Sequence, residues 1–207
     1  PTGEGDKVTV SITGDGPVFE SQAQKVTVSV SEKLDHDLTV TLKNGDVVVI
    51  KAGELSVPYE RAAQGDDVYK DGETVPMGID TATVDGKSFE NLVIGGDASV
   101  VVNDTETEVV ATLTVDKTTV TEGGDVTYTV TLTNKAGLPM ESHGPLTFTL
   151  SDGTKISVKA GETTGTAVVQ TTNDVFTGGQ PSLVNKLVGV DGADDFEKLT
   201  LDPKEHT

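Results

Sequence analysis

The chain contains no cysteine and no tryptophan, and aromatic residues fill only 4% of its 207 positions. Without cysteine there are no disulfides, thiolate metal sites or thiol nucleophiles. No compartment follows from this, because many secreted proteins also lack the residue. With so few large rings, any core must be built from Val, Leu, Ile and Ala. Two thin sandwich cores suit that inventory better than one deep α/β core. No stretch approaches the roughly 18 apolar residues of a membrane helix. No signal-peptide pattern opens the chain, so it reads as a soluble segment without direct membrane insertion. An opening on Pro1 reads as a piece cut from something longer.

Basic residues are scarce as well. Against 15 Lys+Arg stand 34 Asp+Glu, a formal net charge of −19. Such a field repels nucleic acid and anionic membrane surfaces. Two readings of the acidity stay open at this point: carboxylates that keep the surface soluble, or carboxylates that ligate cations. Their positions in the chain bear on the choice.

What the chain does have is one unit written twice. Leu38-Thr39-Val40-Thr41-Leu42 aligns with Leu146-Thr147-Phe148-Thr149-Leu150, and Lys51-Ala52-Gly53-Glu54 with Lys159-Ala160-Gly161-Glu162. Val18-Phe19-Glu20 matches Val120-Thr121-Glu122, and Phe89-Glu90-Asn91-Leu92 matches Phe196-Glu197-Lys198-Leu199. The period is about 100 residues, the size of an immunoglobulin-like sandwich. Within each copy apolar and polar residues alternate, as in Val126, Tyr128, Val130 and Leu132 against Thr127, Thr129, Thr131 and Thr133. That is the period of a half-buried strand, and Val and Thr suit a pleated surface. Asn44-Gly45, Asp152-Gly153 and Asp191-Gly192 punctuate the strands as turns. The chain is therefore expected to be all-β: two tandem immunoglobulin-like sandwich domains over 1–107 and 108–207. The polar connection near Asn103 to Glu108 has no Gly or Pro, which predicts a stiff junction.

In the second copy, strands are predicted over 111–120, 126–133, 146–150, 155–160, 166–171, 181–190 and 198–201. Successive strands reverse direction, so loops alternate between two poles. Glu122, Asp125, Asp152, Asp174 and Asp202 share the pole where the chain leaves. Glu141, Glu162, Asp191, Asp194 and Asp195 share the other. In the first copy the exit pole carries Glu20, Asp46, Asp66, Asp67 and Asp104. Acids from both copies are thus expected to converge around Asp104. Like charges ~4 Å apart repel by about 1 kcal/mol even in bulk water. A hard divalent cation relieves this, and Ca²⁺ accepts 6–8 oxygens at about 2.3–2.6 Å more tolerantly than Mg²⁺.

The stretch Ala111 to Lys117 and Val120-Thr121-Glu122-Gly123-Gly124-Asp125 through Thr133 resembles the opening of immunoglobulin-like extender repeats in giant RTX adhesins. Leu146 to Thr154 and Asn173 to Gln180 are similar to the later part of such a repeat. The first copy departs from the pattern, with Phe19-Glu20-Ser21-Gln22 in place of glycines and an added Gly95-Gly96-Asp97. The resemblance implies a type I secreted, extracellular, bacterial cell-surface protein whose repeats are spacers stiffened by Ca²⁺ between domains. It implies Glu122, Asp174 and Asp202 as Ca²⁺ ligands, with Glu20, Asp67 and Asp104 as their counterparts; Asp194 and Asp195, on the opposite pole, are expected to contribute from the other side. The partners so implied are neighbouring tandem repeats of the same chain, in a monomer.

Other signals exclude more than they offer. Gly65 to Gly72 shares part of an EF-hand loop but lacks the bidentate Glu and has Tyr69 at a ligand position. His36, His143 and His206 read as exposed loop or tail residues. There is no phosphate-binding loop, dinucleotide fingerprint or arguable nucleophile–base set. A structural extender is the leading function. A ligand-binding adhesion module acting through loops such as Leu138-Pro139-Met140-Glu141 is the alternative, that loop otherwise packing against a neighbouring domain. An enzyme comes third, because aromatic-poor sandwiches lack stacking platforms for carbohydrate chemistry.

Overall fold

A computed structural model describes residues 7–86, 91–172 and 182–207. Its contacts divide the chain into two units, the first formed by 1–66 and 71–104, the second by 67–70 and 105–207. All regular structure among the described residues is strand. No helix among them is long and apolar enough to cross a membrane.

In the first unit, β1 (Val8–Gly14), β2 (Val18–Phe19), β3 (Gln24–Val30), β4 (Leu38–Leu42), β5 (Val47–Ile50) and β6 (Ser56–Arg61) are followed by β7 (Glu73–Met77), β8 (Ile79–Val84), β9 (Leu92–Ile94) and β10 (Ala98–Asn103). One sheet has the order β6-β3-β1-β9, and the facing strands form β5-β4-β8 and β2-β10-β7. Alternation decides which face is buried. Val10 and Ile12 of β1, Val26, Val28 and Val30 of β3, and Leu38, Val40 and Leu42 of β4 point into one core while their Thr and Ser neighbours face out. Each fully buried Val, Leu or Ile contributes about 1.5–3 kcal/mol, so many small aliphatics replace the missing rings.

The second unit repeats the plan with β11 (Glu108–Val115), β12 (Asp125–Thr133), β13 (Leu146–Leu150), β14 (Lys155–Val158), β15 (Thr164–Gln170), β16 (Leu187–Asp191) and β17 (Lys198–Leu201). Its sheets run β15-β12-β11-β17 and β14-β13-β16. Both copies turn their central hairpin identically. Leu42 N bonds Asp46 O and Leu150 N bonds Thr154 O, both at 2.8 Å, with Gly45 and Gly153 each at φ 90°. That left-handed backbone favours glycine. Each copy also has a register shift one residue before this turn, at Thr41/Leu42 and Thr149/Leu150.

One residue and one loop differ from expectation. His143 is buried, not an exposed loop residue: its ring nitrogens lie 2.6 Å from Gly144 O and Glu162 O, and it packs on Phe196. The reason is positional. Gly161 N bonds His143 O as Gly53 N bonds Leu34 O, so His143 takes the place of a residue that packs on the first core. The loop at Leu138 and Met140 packs on its own unit's core, held by a reciprocal pair of 2.9 Å bonds between Asn134 and the Leu138 backbone.

Candidate metal centre

β2 delivers Glu20 to the end of the first unit. Its amide donates to Asn103 O at 2.9 Å, its carbonyl accepts from Gly65 N at 3.0 Å, and the residue is 0% exposed. Asp104 follows β10 directly, and its Oδ1 accepts the amides of Asp71 at 3.0 Å and Gly72 at 2.6 Å. Glu20, Asp71 and Asp104 each place one carboxylate oxygen so that all three lie within 4.8 Å of one another. These residues come from three separate stretches of chain, gathered by the pairing of β10 with β2 and β7.

The chemistry of this donor set suits a hard cation. Three like charges this close repel, more strongly near a protein surface than in bulk water. Asp104 has one oxygen engaged by two amides, and a carboxylate has about four acceptor sites, so ligation remains open to it. Tolerant, oxygen-only coordination is that of Ca²⁺; a strict octahedron with short bonds is that of Mg²⁺.

The other expected ligands lie as follows. Asp67, counted with the second unit, accepts the Tyr69 amide on Oδ1 at 2.6 Å. Its neighbour Val68 is fully buried in the second core, and Tyr69 packs on Phe196 with ring centroids 5.1 Å apart and the rings tilted at 45°. Asp194 and Asp195 are exposed in the turn before Phe196, and the Asp195 carbonyl accepts from Lys70 N at 2.8 Å. Glu122 is exposed beside the turn closed by Gly124 N and Thr121 O. Asp202 accepts from Lys204 N at 3.0 Å. Asp174 lies outside the described residues. Among the described residues, Glu122, Asp194, Asp195 and Asp202 join no group of three potential ligands.

Register separates Asp202 from Asp104. Asp202 N bonds Ala111 O at 2.9 Å just as Gly95 N bonds Val10 O at 2.7 Å, so Asp202 occupies the place of Gly95. In the first unit the final stretch has two strands, β9 against β1 and then β10 against β7; Asp104 follows the second of these. Asp71, which sequence reasoning passed over, joins Glu20 and Asp104 in the first unit's cluster. Its signal was the Asp71-Gly72 pair, set aside with the EF-hand pattern to which it does not belong.

Two immunoglobulin-like sandwiches in tandem, one carrying a three-carboxylate cluster at its end, define a class of acidic, all-β repeat. Within that class, the LapA domain family matches residues 6–105 and again residues 108–207. The chain belongs to that family of large-adhesin repeats, present here in two tandem copies. No curated protein sequence matches the chain. Among solved structures, that of CBD12 from CALX1.2 is similar at 10% identity, covering 90% of this chain and 83% of its own, with a TM-score of 0.38. A tetra-tandem repeat in the extending region of a large adhesion protein is similar at 11% identity, covering 96% of this chain and 48% of its own, with a TM-score of 0.39. A type II cohesin dyad from the adaptor ScaA scaffoldin of Acetivibrio cellulolyticus is similar at 8% identity over 96% of this chain and 98% of its own, with a TM-score of 0.24.

Proposed function

We propose that this chain is a structural, non-enzymatic extender segment of a large bacterial cell-surface adhesin, in which bound Ca²⁺ stiffens a row of tandem repeats. The row acts as a rod that holds the adhesive region away from the cell during adhesion and biofilm formation. The observation that carries the reading is the Glu20–Asp71–Asp104 cluster at the end of a repeat that belongs to an adhesin family. Glu20, Asp71 and Asp104 would hold the ion, and its charge would replace carboxylate repulsion with attraction. Asp67, Glu122, Asp174, Asp194, Asp195 and Asp202 remain candidates for further ligands. The partners are neighbouring repeats of the same chain, and the location is extracellular.

Small-angle scattering of the whole chain tests this. Chelation should increase its flexibility, and restored millimolar Ca²⁺ should reverse the change. Identical curves in both conditions would contradict the rod.

A further inference from the structure

The central hairpins of the two units share one turn but differ in what stands at its tip. In the first unit it is Asn44, followed by Gly45; in the second it is Asp152, followed by Gly153. Asparagine is a thermolabile residue, most of all before a glycine, whose missing side chain leaves its backbone nitrogen unshielded. The Gly45 nitrogen can attack Asn44 Cγ; the Cγ–Nδ2 bond then breaks, and ammonia leaves with the Gly45 proton. Water opens the resulting succinimide at either carbonyl, giving aspartate or isoaspartate. Asp152 has no amide to lose.

The fold holds both reacting groups. Gly45 N donates to Leu42 O at 2.9 Å. Asn44 Oδ1 accepts from Asp46 N at 3.0 Å, and Asn44 Nδ2 donates to the Tyr59 hydroxyl at 3.0 Å. Attack requires the Asn44 amide to turn onto Gly45 N, so these bonds oppose it. Tyr59 is the part the second unit lacks. Val30 N bonds Leu55 O as Leu132 N bonds Thr163 O, so Val26 and Tyr128 hold equivalent places. Tyr59 lies opposite Val26, whereas Ala167 lies opposite Tyr128. The Tyr59 ring packs on the first core, which fixes its hydroxyl over the turn, and that hydroxyl donates to Asp46 Oδ2. Burial, and after it the bond to Asp46, pushes the phenol above its ordinary pKa, so it keeps its proton at mildly alkaline pH.

We propose that Asn44 is a latent deamidation site, guarded by the Tyr59 hydroxyl, whose acid product weakens the hairpin of the first unit. The aspartate product places a second carboxylate oxygen where Nδ2 now lies, 3.0 Å from the Tyr59 hydroxyl and 3.5 Å from Asp46 Oδ2. Tyr59 has a single proton and already gives it to Asp46. The new carboxylate therefore loses its partner and gains a like charge as neighbour, and charges this close repel. The exposed position of Asn44 leaves water free to reach the succinimide.

The test incubates the whole 207-residue protein at mildly alkaline pH. Peptide mapping by mass spectrometry follows Asn44 in the folded parent, in folded Tyr59→Phe, and in the parent unfolded in urea. Asn44 should convert more slowly in the folded parent than in urea. Tyr59→Phe should convert about fivefold faster than the folded parent, the factor that one net hydrogen bond represents. Amide exchange in β4 should match between the two folded proteins, which confines the gain to the turn. Asn44→Asp should lower the melting temperature of the first unit and leave the second unchanged. Equal rates in Tyr59→Phe and parent would overturn the proposal. So would a faster rate accompanied by equally faster exchange throughout β4, or an Asn44→Asp protein that melts with the parent.

Discussion

Gly72 lies directly against Asp104: its amide donates to Asp104 Oδ1 at 2.6 Å, and a methyl group on its α-carbon would meet that oxygen at 3.2 Å and Val102 O at 2.9 Å. The tightest of these contacts is with backbone, which cannot rotate away. Gly72→Ala should therefore destabilise the first unit by about 1–3 kcal/mol, as overpacking does. Urea unfolding of variant and parent measures it, and an unchanged midpoint would refute the close approach.

Glu20 and Asp71 separate two effects of the cluster. With no cation present, removing one negative charge from three relieves repulsion, so Glu20→Gln and Asp71→Asn should melt no lower than the parent in chelator. In millimolar Ca²⁺ the order should reverse, because each variant loses a charged ligand. Titration calorimetry should show at least a tenfold weaker affinity for each variant. A variant that binds Ca²⁺ like the parent lies outside the site.

Asp152 couples the second unit to acid. Desolvation alone would raise its pKa, but hydrogen bonds from the Asn185 side chain at 2.9 Å and the Thr154 amide at 2.8 Å outweigh this and hold its carboxyl below the usual aspartate range. A lowered folded pKa means stability that is present above the unfolded value and lost as pH falls through the folded one. The parent should melt above Asp152→Asn at neutral pH, and this advantage should shrink below about pH 4. A difference in melting temperature that stays constant from pH 7 to pH 3 would rule out Asp152 as the cause.

Val68 reports on where its segment folds. It is fully buried in the second core, although it sits in sequence within the first copy. Val68→Ala removes two methyl groups and leaves a cavity, for an expected loss of about 2 kcal/mol from the second unit. Hydrogen exchange should show faster opening in β11 and β13 and little change in β4. Destabilisation confined to the first unit would contradict the assignment.

The strands were legible because Val-Thr alternation and Asn-Gly or Asp-Gly turns act locally. Residues 126–133, 146–150 and 198–201 read as strands and fold within β12, β13 and β17. Asp104 and Glu20 stood out through the repeat. Asp71 did not, because its place beside them depends on the long-range pairing of β10 with β2 and β7, which leaves no periodicity in the sequence. Asp202 was aligned with Asp104 because both follow an apolar run. Gly95-Gly96-Asp97 stood out as an added stretch, but that it carries the chain from β9 to β10 shows only in the register. His143 was misread because a lone histidine in a polar loop gives no sign of the apolar place it fills.

Calcium-dependent melting is the most direct test of the central claim. Scanning calorimetry of the whole chain in chelator and in Ca²⁺ at ten times Kd, millimolar for a site of the extracellular class, should show about 1.4 kcal/mol of added stability per site. The gain should be absent from Glu20→Gln. Equal melting temperatures with and without Ca²⁺ would contradict a calcium-stiffened repeat.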